Sequence, residues 1–146
     1  DGMRRLAEYA TLNANYLQVK LRDAGFELAF PNRRASHEFI VTLKNDARTI
    51  GLTAMDIAKA LLDHNYHAPT TYFPLLVPEC LLIEPTETES KETLDNFVAA
   101  MTAILKEATG GTSFKEAPYS MPVRRLDDVK AARQLDLVYR PDDEQS

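Results

Sequence analysis

The feature that most constrains the fold is an amphipathic stripe in the second half of the chain. Its apolar residues recur at three- and four-residue steps: Leu94, Phe97, Val98, Met101, Ile104, Leu105 and Ala108. This spacing places them on one face of an α-helix. Thr86 followed by Glu89 predicts a capping box at its start, and Gly110-Gly111 predicts its end. A helix with one apolar face needs a second layer to cover that face.

Alternating apolar residues predict a sheet as the second layer. A strand is predicted from Ser36 to Lys44, because alternation places Phe39, Val41 and Leu43 on one face and the mostly polar residues 38, 40, 42 and 44 on the other. A short strand is predicted over 26–30. The apolar runs 72–77 and 80–84 predict a hairpin, with Pro74 at an edge or a bulge. We expect the core to join the helix residues Leu94, Phe97, Met101, Ile104 and Leu105 to the strand residues Phe39, Val41, Leu43, Leu82 and Ile83.

Further helices complete the predicted order of elements. Apolar periodicity predicts a helix over 4–24 and a short one over 127–133. Thr53 and Asp56 form a capping-box pattern that opens a third helix, and Asn65 is a plausible left-handed stop for it. The segment 45–51 is predicted to be a loop. These elements predict an α+β fold, with a small, mostly antiparallel sheet and helices on one face.

The charge and cysteine content exclude several classes of protein. With 17 Lys+Arg against 22 Asp+Glu, the formal net charge is −5, and no basic stripe suggests nucleic-acid binding. No apolar run approaches the roughly 20 residues of a membrane helix. Cys80 is the single cysteine, so an intrachain disulfide and a cysteine-based zinc site are excluded. A lone thiol fits a reducing compartment, and we expect a cytoplasmic location.

Several residues have both a chemical and a structural interpretation. His64 and His67, with Asp63 beside them, have the spacing of a metal pair, but the predicted helix ends between them and no third ligand is evident, so no metal is predicted. Cys80 begins an apolar run, which favours a buried thiol over a nucleophile. Glu84, Glu87 and Glu89 could serve as acid and base, but their place near a helix start explains them better. We expect Arg33-Arg34 and Arg124-Arg125 to be solvated or to make subunit contacts.

The segment 65–71 is harder to interpret as structural alone. It places the imidazole of His67 and the hydroxyls of Thr70 and Thr71 at a helix-to-strand junction, where binding groups tend to lie. Binding and structural interpretations are equally open on this pattern. No Gly-rich phosphate loop, nucleotide fingerprint or convincing triad is present. The residues therefore predict a domain that contributes to a site without containing a complete one, and no catalytic residue is assigned.

Short motifs in order along the chain resemble the C-terminal part of the glycine dehydrogenase (decarboxylating) family. This family is the P-protein of the glycine cleavage system. The motifs are Asn13-Ala14-Asn15-Tyr16, His37-Glu38-Phe39-Ile40, Asp56-Ile57-Ala58-Lys59, His67-Ala68-Pro69-Thr70, Ile83-Glu84-Pro85-Thr86-Glu87 and Leu94-Asp95 with Phe97. The tail from Pro122 to Asp127 is similar to subunit 2 of the two-subunit form.

The resemblance implies a domain organisation and a cofactor. It implies the small C-terminal domain of an aspartate-aminotransferase-like enzyme, with pyridoxal phosphate attached outside this chain, in an upstream large domain. Residues 1–111 then form the α+β small domain, of which 1–25 is the interdomain helix. Residues 112–146 are an extended tail packed on the domain or on a partner subunit. No lysine of this chain matches the cofactor lysine, so no cofactor-binding residue is assigned.

The resemblance also implies chemistry and partners. The family decarboxylates glycine and passes the aminomethyl group to the lipoyl arm of H-protein, and its partners include the upstream large domain and subunit 1. His67 and Thr70 are the matched positions expected nearest the substrate, and Asn13 and Asn15 are further candidates. By itself, the chain is expected to be inactive. Two alternatives stay open: the small domain of another enzyme of the same cofactor fold, and a stand-alone ligand-binding α+β module.

Overall fold

The structure, a computed structural model, describes residues 1–138, so the part of the predicted tail over 139–146 lies outside the described residues. The elements in chain order are α1 (Gly2–Asp23), β1 (Glu27–Leu28), β2 (Phe39–Thr42), α2 (Lys44–Thr49), α3 (Ala54–Asp63), β3 (Thr70–Thr71), β4 (Cys80–Ile83), α4 (Lys91–Thr109) and α5 (Asp128–Arg133). The strands form one four-stranded sheet in the order β1-β2-β4-β3, and every neighbouring pair is antiparallel. The predicted α+β class is confirmed.

Strand register decides which residues reach the core. Phe39 lies opposite Ile83, and Val41 opposite Leu81, and these four side chains are buried in one cluster with α1, α3 and α4. The predicted core is confirmed for most of its members but wrong for Leu82 and Leu105, which are only half-buried. Leu82 lies opposite Ile40. Alternation along a strand turns both side chains to the other face of the sheet, and Leu81 takes the predicted place of Leu82.

The reversal between β3 and β4 differs from the predicted hairpin. The partner of β4 is Thr70–Thr71, whereas the predicted first arm over 72–77 is a loop. Two features explain the difference. Tyr72 and Glu79 have positive φ angles of 58° and 47°, which turn the chain out of the strand conformation. Pro74 has no N–H to donate to a ladder.

The predicted boundaries of α3 are confirmed. The Thr53 hydroxyl accepts from the Asp56 amide, and the Asp56 carboxylate accepts from the Thr53 amide, which is a capping box. After the helix, Asn65 has a φ of 63°, which is the predicted left-handed conformation.

The loop predicted over 45–51 is wrong in part, because α2 occupies most of it. The Ala47 amide donates to the Leu43 carbonyl at 2.8 Å, which forms the first turn of α2.

The start of α4 also differs from the prediction. Ser90 is the N-cap, and its hydroxyl accepts from the Thr93 amide at 3.1 Å. The Asn13 side-chain amide donates to the Thr86 carbonyl at 2.8 Å and to the Glu89 carbonyl at 3.2 Å. These two bonds hold the segment 86–89 as a turn before the helix. The predicted capping box at Thr86 is therefore wrong, and Glu92 is the acidic residue of the first turn.

The segment that follows α4 packs on α3 through two carboxylates. Asp56 accepts from Lys115 Nζ at 2.5 Å and from Arg125 Nη2 at 2.8 Å. Asp63 accepts from the Tyr119 amide and from the amide and hydroxyl of Ser120. Burial raises the pKa of Asp56, but the hydrogen bonds from Lys115 and Thr53 outweigh it and leave the pKa below its ordinary value. The surface or subunit role expected of Arg125 is wrong, because its guanidinium binds within this domain.

Candidate functional site

A cleft of about 360 Å³ opens beside the junction between α3 and β3. His67 and Thr70, the two residues matched to the family at this junction, both line it. The opposite side is formed by the segment that follows β4, which contributes Glu84 and Glu89. The cleft therefore lies between the segment that precedes β3 and the segment that follows β4.

The junction is anchored at Tyr66. The Tyr66 amide donates to the Leu61 carbonyl at 3.0 Å, and its ring meets the Phe97 ring edge-on, with centroids 5.2 Å apart. The Tyr66 hydroxyl donates to the Thr93 carbonyl at 3.4 Å. A half-buried aromatic residue thus holds the chain against α4, while His67 and Thr70 on either side of Pro69 stay exposed. This anchor gives an otherwise irregular segment a defined position.

The electrostatic character of the cleft is acidic. Its lining includes Glu84 and Glu89, but no lysine or arginine. Burial raises the pKa of Tyr66, and the charge of Glu89 raises it further, so the phenol stays neutral and donates. His67 is the single histidine of the lining, and its imidazole can form a hydrogen bond to a bound group. The part of the cleft that this chain builds therefore carries acidic side chains and no fixed positive charge.

Asn13 and Asn15 lie outside the lining of this cleft, and their amides bind backbone instead. Asn13 holds the turn 86–89, so it shapes one wall of the cleft indirectly. Asn15 exchanges two hydrogen bonds with Ala35: its Nδ2 donates to the Ala35 carbonyl at 2.8 Å, and its Oδ1 accepts from the Ala35 amide at 3.1 Å. Their role near the substrate stays a prediction.

His64 and His67, which have the spacing of a metal pair, do not meet further potential ligands within residues 1–138. Within residues 1–138, the group of three potential ligands is His37, Glu38 and Glu84, whose ligand atoms lie within 4.8 Å of one another. His64 and His67 do not belong to it. All three residues of the group are at least partly solvent-accessible, and His37 Nε2 lies 3.9 Å from Glu84 Oε1. We assign no metal to either set.

Cys80 is fully buried in β4, as the apolar run predicted. Burial raises the pKa of its thiol, which makes it a poor nucleophile.

The sequence did not identify Tyr66 and Thr93, whose hydrogen bond holds the cleft in shape. Their signal is weak, because an aromatic residue after a helix stop and a threonine inside a helix are common without any function. The prediction that Glu84 and Glu89 are helix-start acids is wrong, because α4 begins after both.

The comparisons with known proteins agree on one family. The family described as "Glycine dehydrogenase, C-terminal domain" matches residues 6–123. The probable glycine dehydrogenase (decarboxylating) subunit 2 of Thiobacillus denitrificans is 72% identical over 142 residues, which cover 97% of this chain and 29% of that protein. The protein of the same description from Thioalkalivibrio sulfidiphilus is 69% identical over 141 residues, which cover 96% of this chain and 28% of that protein. The one from Nitrosomonas europaea is 68% identical over 142 residues, which cover 97% of this chain and 29% of that protein. The chain thus spans less than a third of these relatives.

Proposed function

The chain belongs to the glycine dehydrogenase C-terminal domain family, and we propose that it is the C-terminal domain of a glycine-decarboxylating enzyme of the glycine cleavage system. That enzyme decarboxylates glycine with pyridoxal phosphate and passes the aminomethyl group to the lipoyl arm of H-protein. The observation that carries the proposal is the cleft in which two family-matched residues, His67 and Thr70, meet. Family membership decides against another enzyme of the same cofactor fold. The stand-alone binding module is left for the experiment.

The residues of the cleft do not fit a complete cofactor site. Pyridoxal phosphate requires a lysine for attachment and donors for its phosphate, and the lining contains no lysine and no arginine. We therefore place the cofactor in an upstream domain, with this chain forming one wall of the shared site. The cofactor, when bound, supplies the electron sink for decarboxylation. No step of the reaction is assigned to a residue of this chain.

What this chain contributes is positioning. Glycine is too small to offer much binding energy, so its orientation depends on a few polar contacts. The imidazole of His67 supplies a hydrogen bond or, when protonated, a positive charge, and the Thr70 hydroxyl supplies a second contact. Leu17, Leu94 and Phe97 form an apolar back wall, which limits water around the reacting groups and leaves room for the aliphatic part of a lipoyl arm.

Exposed apolar residues at the start of α1 support an upstream partner. Met3 and Leu6 are 89% and 50% exposed, yet their spacing continues the buried face that Ala14, Leu17 and Leu21 present to the core. An apolar face that continues beyond its own core is suited to packing against another domain. We propose that the upstream large domain covers it, that subunit 1 and H-protein complete the assembly, and that the assembly works in the cytoplasm. We likewise propose that residues 1–111 form the small domain and that 112–146 form its tail.

The test is the exchange of the glycine carboxyl group with carbon dioxide in the complete enzyme. His67→Ala should lower the exchange rate about 100-fold, the usual cost of losing one positioned donor, and leave the cofactor absorbance unchanged. His64→Ala is the matched control, since His64 is an exposed histidine at the same helix end and does not line the cleft. His67→Asn separates a hydrogen bond, which it restores in part, from a charge, which it does not.

Two outcomes would overturn the proposal. Normal exchange in both His67 variants, with intact folding, would return His67 to a structural role. A glycine-responsive, stoichiometric cofactor band formed by the isolated 146-residue chain would contradict the placement of the cofactor upstream. Binding of glycine by the isolated chain without any cofactor would instead favour the stand-alone module.

A further inference from the structure

A basic turn lies between β1 and β2 and packs against α1. Arg33 and Arg34 line a second cleft, of about 370 Å³, together with Arg22, Asn32 and the side chains of Asn15 and Gln18. No aspartate or glutamate lines this cleft. The local charge of this cleft is therefore positive, although the formal net charge of the chain is −5.

The turn is fixed to α1 by two amide side chains. Asn15 binds both the amide and the carbonyl of Ala35, at 3.1 and 2.8 Å. Gln18 is buried, and its Nε2 donates to the Arg33 carbonyl at 3.2 Å. Asn15 and Gln18 are three residues apart and therefore share a face of the helix. The backbone that carries the arginines is thus held at both ends, and the site is organised before any ligand arrives.

Among the residues that the structure describes, the two guanidinium groups of the turn have no acidic partner. Over residues 1–138, neither Arg33 nor Arg34 forms an ion pair, whereas Arg22 at the rim is paired with Asp23 at 2.8 Å. The Arg33 guanidinium lies over the Phe30 ring, 5.5 Å from its centroid, which restricts its rotamers and removes part of its hydration. Glu38 lines a neighbouring cleft of about 180 Å³ that Arg33 and Arg34 also border, but it forms no ion pair with either arginine.

We propose that this cleft binds a phosphate dianion, either free or as the phosphoryl group of a small molecule. Two guanidinium groups on adjacent residues, neither in an ion pair within residues 1–138, offer two positive charges, and a guanidinium is the side chain whose N–H donors suit phosphate oxygens. A single carboxylate would neutralise only one of them. The Asn32 amide is available at the same rim as a further donor. The proposal does not depend on the proposed function, because binding is measured without turnover.

The test is a calorimetric titration of the 146-residue chain with inorganic phosphate, at an ionic strength held constant with chloride. Saturable binding at a ratio of one to one is expected. The double substitution Arg33→Gln and Arg34→Gln should weaken it at least about tenfold, since both charge-assisted contacts are lost. Arg48→Gln is the matched control, because Arg48 is an exposed arginine on α2 outside the cleft, and it should bind as the unchanged chain does.

A second arm identifies the source of the phosphate. Glycerol phosphate that binds more tightly than inorganic phosphate indicates a phosphorylated small molecule, and equal affinities indicate recognition of the phosphate alone. If the double variant fails to fold, Arg34→Gln replaces it, since the structure shows no contact of the Arg34 side chain that folding would need. Heat that does not saturate, equal heat from chloride, or unchanged affinity in the Arg34 variant would overturn the proposal.

Discussion

Removing the carboxylate of Asp56 should destabilise the chain more than removing any exposed carboxylate. Asp56 is 2% exposed. Its carboxylate both caps α3 and binds Lys115 and Arg125 of the tail. Loss of the cap costs about 1 kcal/mol, and loss of the charge-assisted hydrogen bond from the half-buried Arg125 guanidinium costs about 1.5–3 kcal/mol. Lys115 is half-exposed, so its pairing adds under about 1 kcal/mol. Because these contacts share one group, we expect Asp56→Ala to lower the free energy of unfolding by about 3 kcal/mol rather than by the full sum.

The assay is urea unfolding followed by circular dichroism, in which the midpoint shifts and the slope is unchanged if the transition stays two-state. Asp23→Ala is the control: its ion pair with Arg22 is exposed, and the expected loss is under about 1 kcal/mol. Asp56→Asn keeps an oxygen for Thr53 but loses the charge, so it should lie between the two. A loss below about 0.5 kcal/mol for Asp56→Ala, the size of a surface substitution, would refute the assignment of this cluster as the tie between α3 and the tail.

The same carboxylate predicts a dependence on pH. The pKa of Asp56 in the folded chain lies below its ordinary value of 3.8, and hydrogen bonds from Ser120 and Tyr119 likewise outweigh burial and lower the pKa of Asp63. A lowered carboxyl pKa stabilises the folded state fully above the ordinary value, and the contribution disappears as the pH falls through the folded pKa. We expect stability to fall as the pH drops below about 4, and to fall less in Asp56→Asn. An identical acid profile for both proteins would contradict this.

Two further pairs of substitutions test the core and the start of α4. Met101→Ala, at a fully buried position, should cost about 2–5 kcal/mol in urea unfolding, whereas Leu105→Ala, at a half-buried one, should cost clearly less; the reverse order would place α4 in a different rotation. Ser90→Ala should cost about 1 kcal/mol through loss of the cap, and Thr86→Ala should cost under about 0.5 kcal/mol; similar losses for both would contradict a start at Lys91.

The parts of the fold that the sequence predicted are those set by local chemistry. The capping box at Thr53 and the left-handed stop at Asn65 involve only neighbouring residues, and both are present. The parts it missed depend on partners far along the chain. Thr86 with Glu89 has the same pattern as a capping box, but the Asn13 side chain occupies both of its carbonyls from α1. No local pattern contains that information.

The candidate site shows the same division. The motif that carries His67 and Thr70 could be recognised from its residues, whereas the cleft around it depends on the antiparallel register of β3 and β4 and on the turn that follows β4. Arg125 shows the opposite error: two adjacent arginines look like surface, but one of them reaches a carboxylate buried on α3. An arginine becomes structural only when the fold supplies an acid, and the position of that acid is a tertiary property.

The distribution of charge links the fold to the proposed role. The cleft that holds His67 contains two glutamates and no fixed positive charge, whereas the cleft beside α1 contains arginines and no acid. Leu82 borders the first cleft and also the small cleft that Arg33 and Arg34 share with Glu38, so the acidic and the basic residues border adjoining clefts. A domain that presents opposite charges in adjoining clefts orients whatever packs across them, because a partner with the complementary arrangement binds in one direction only. If an upstream domain packs across both clefts, its charges should be positive opposite Glu84 and Glu89, and negative opposite Arg33 and Arg34.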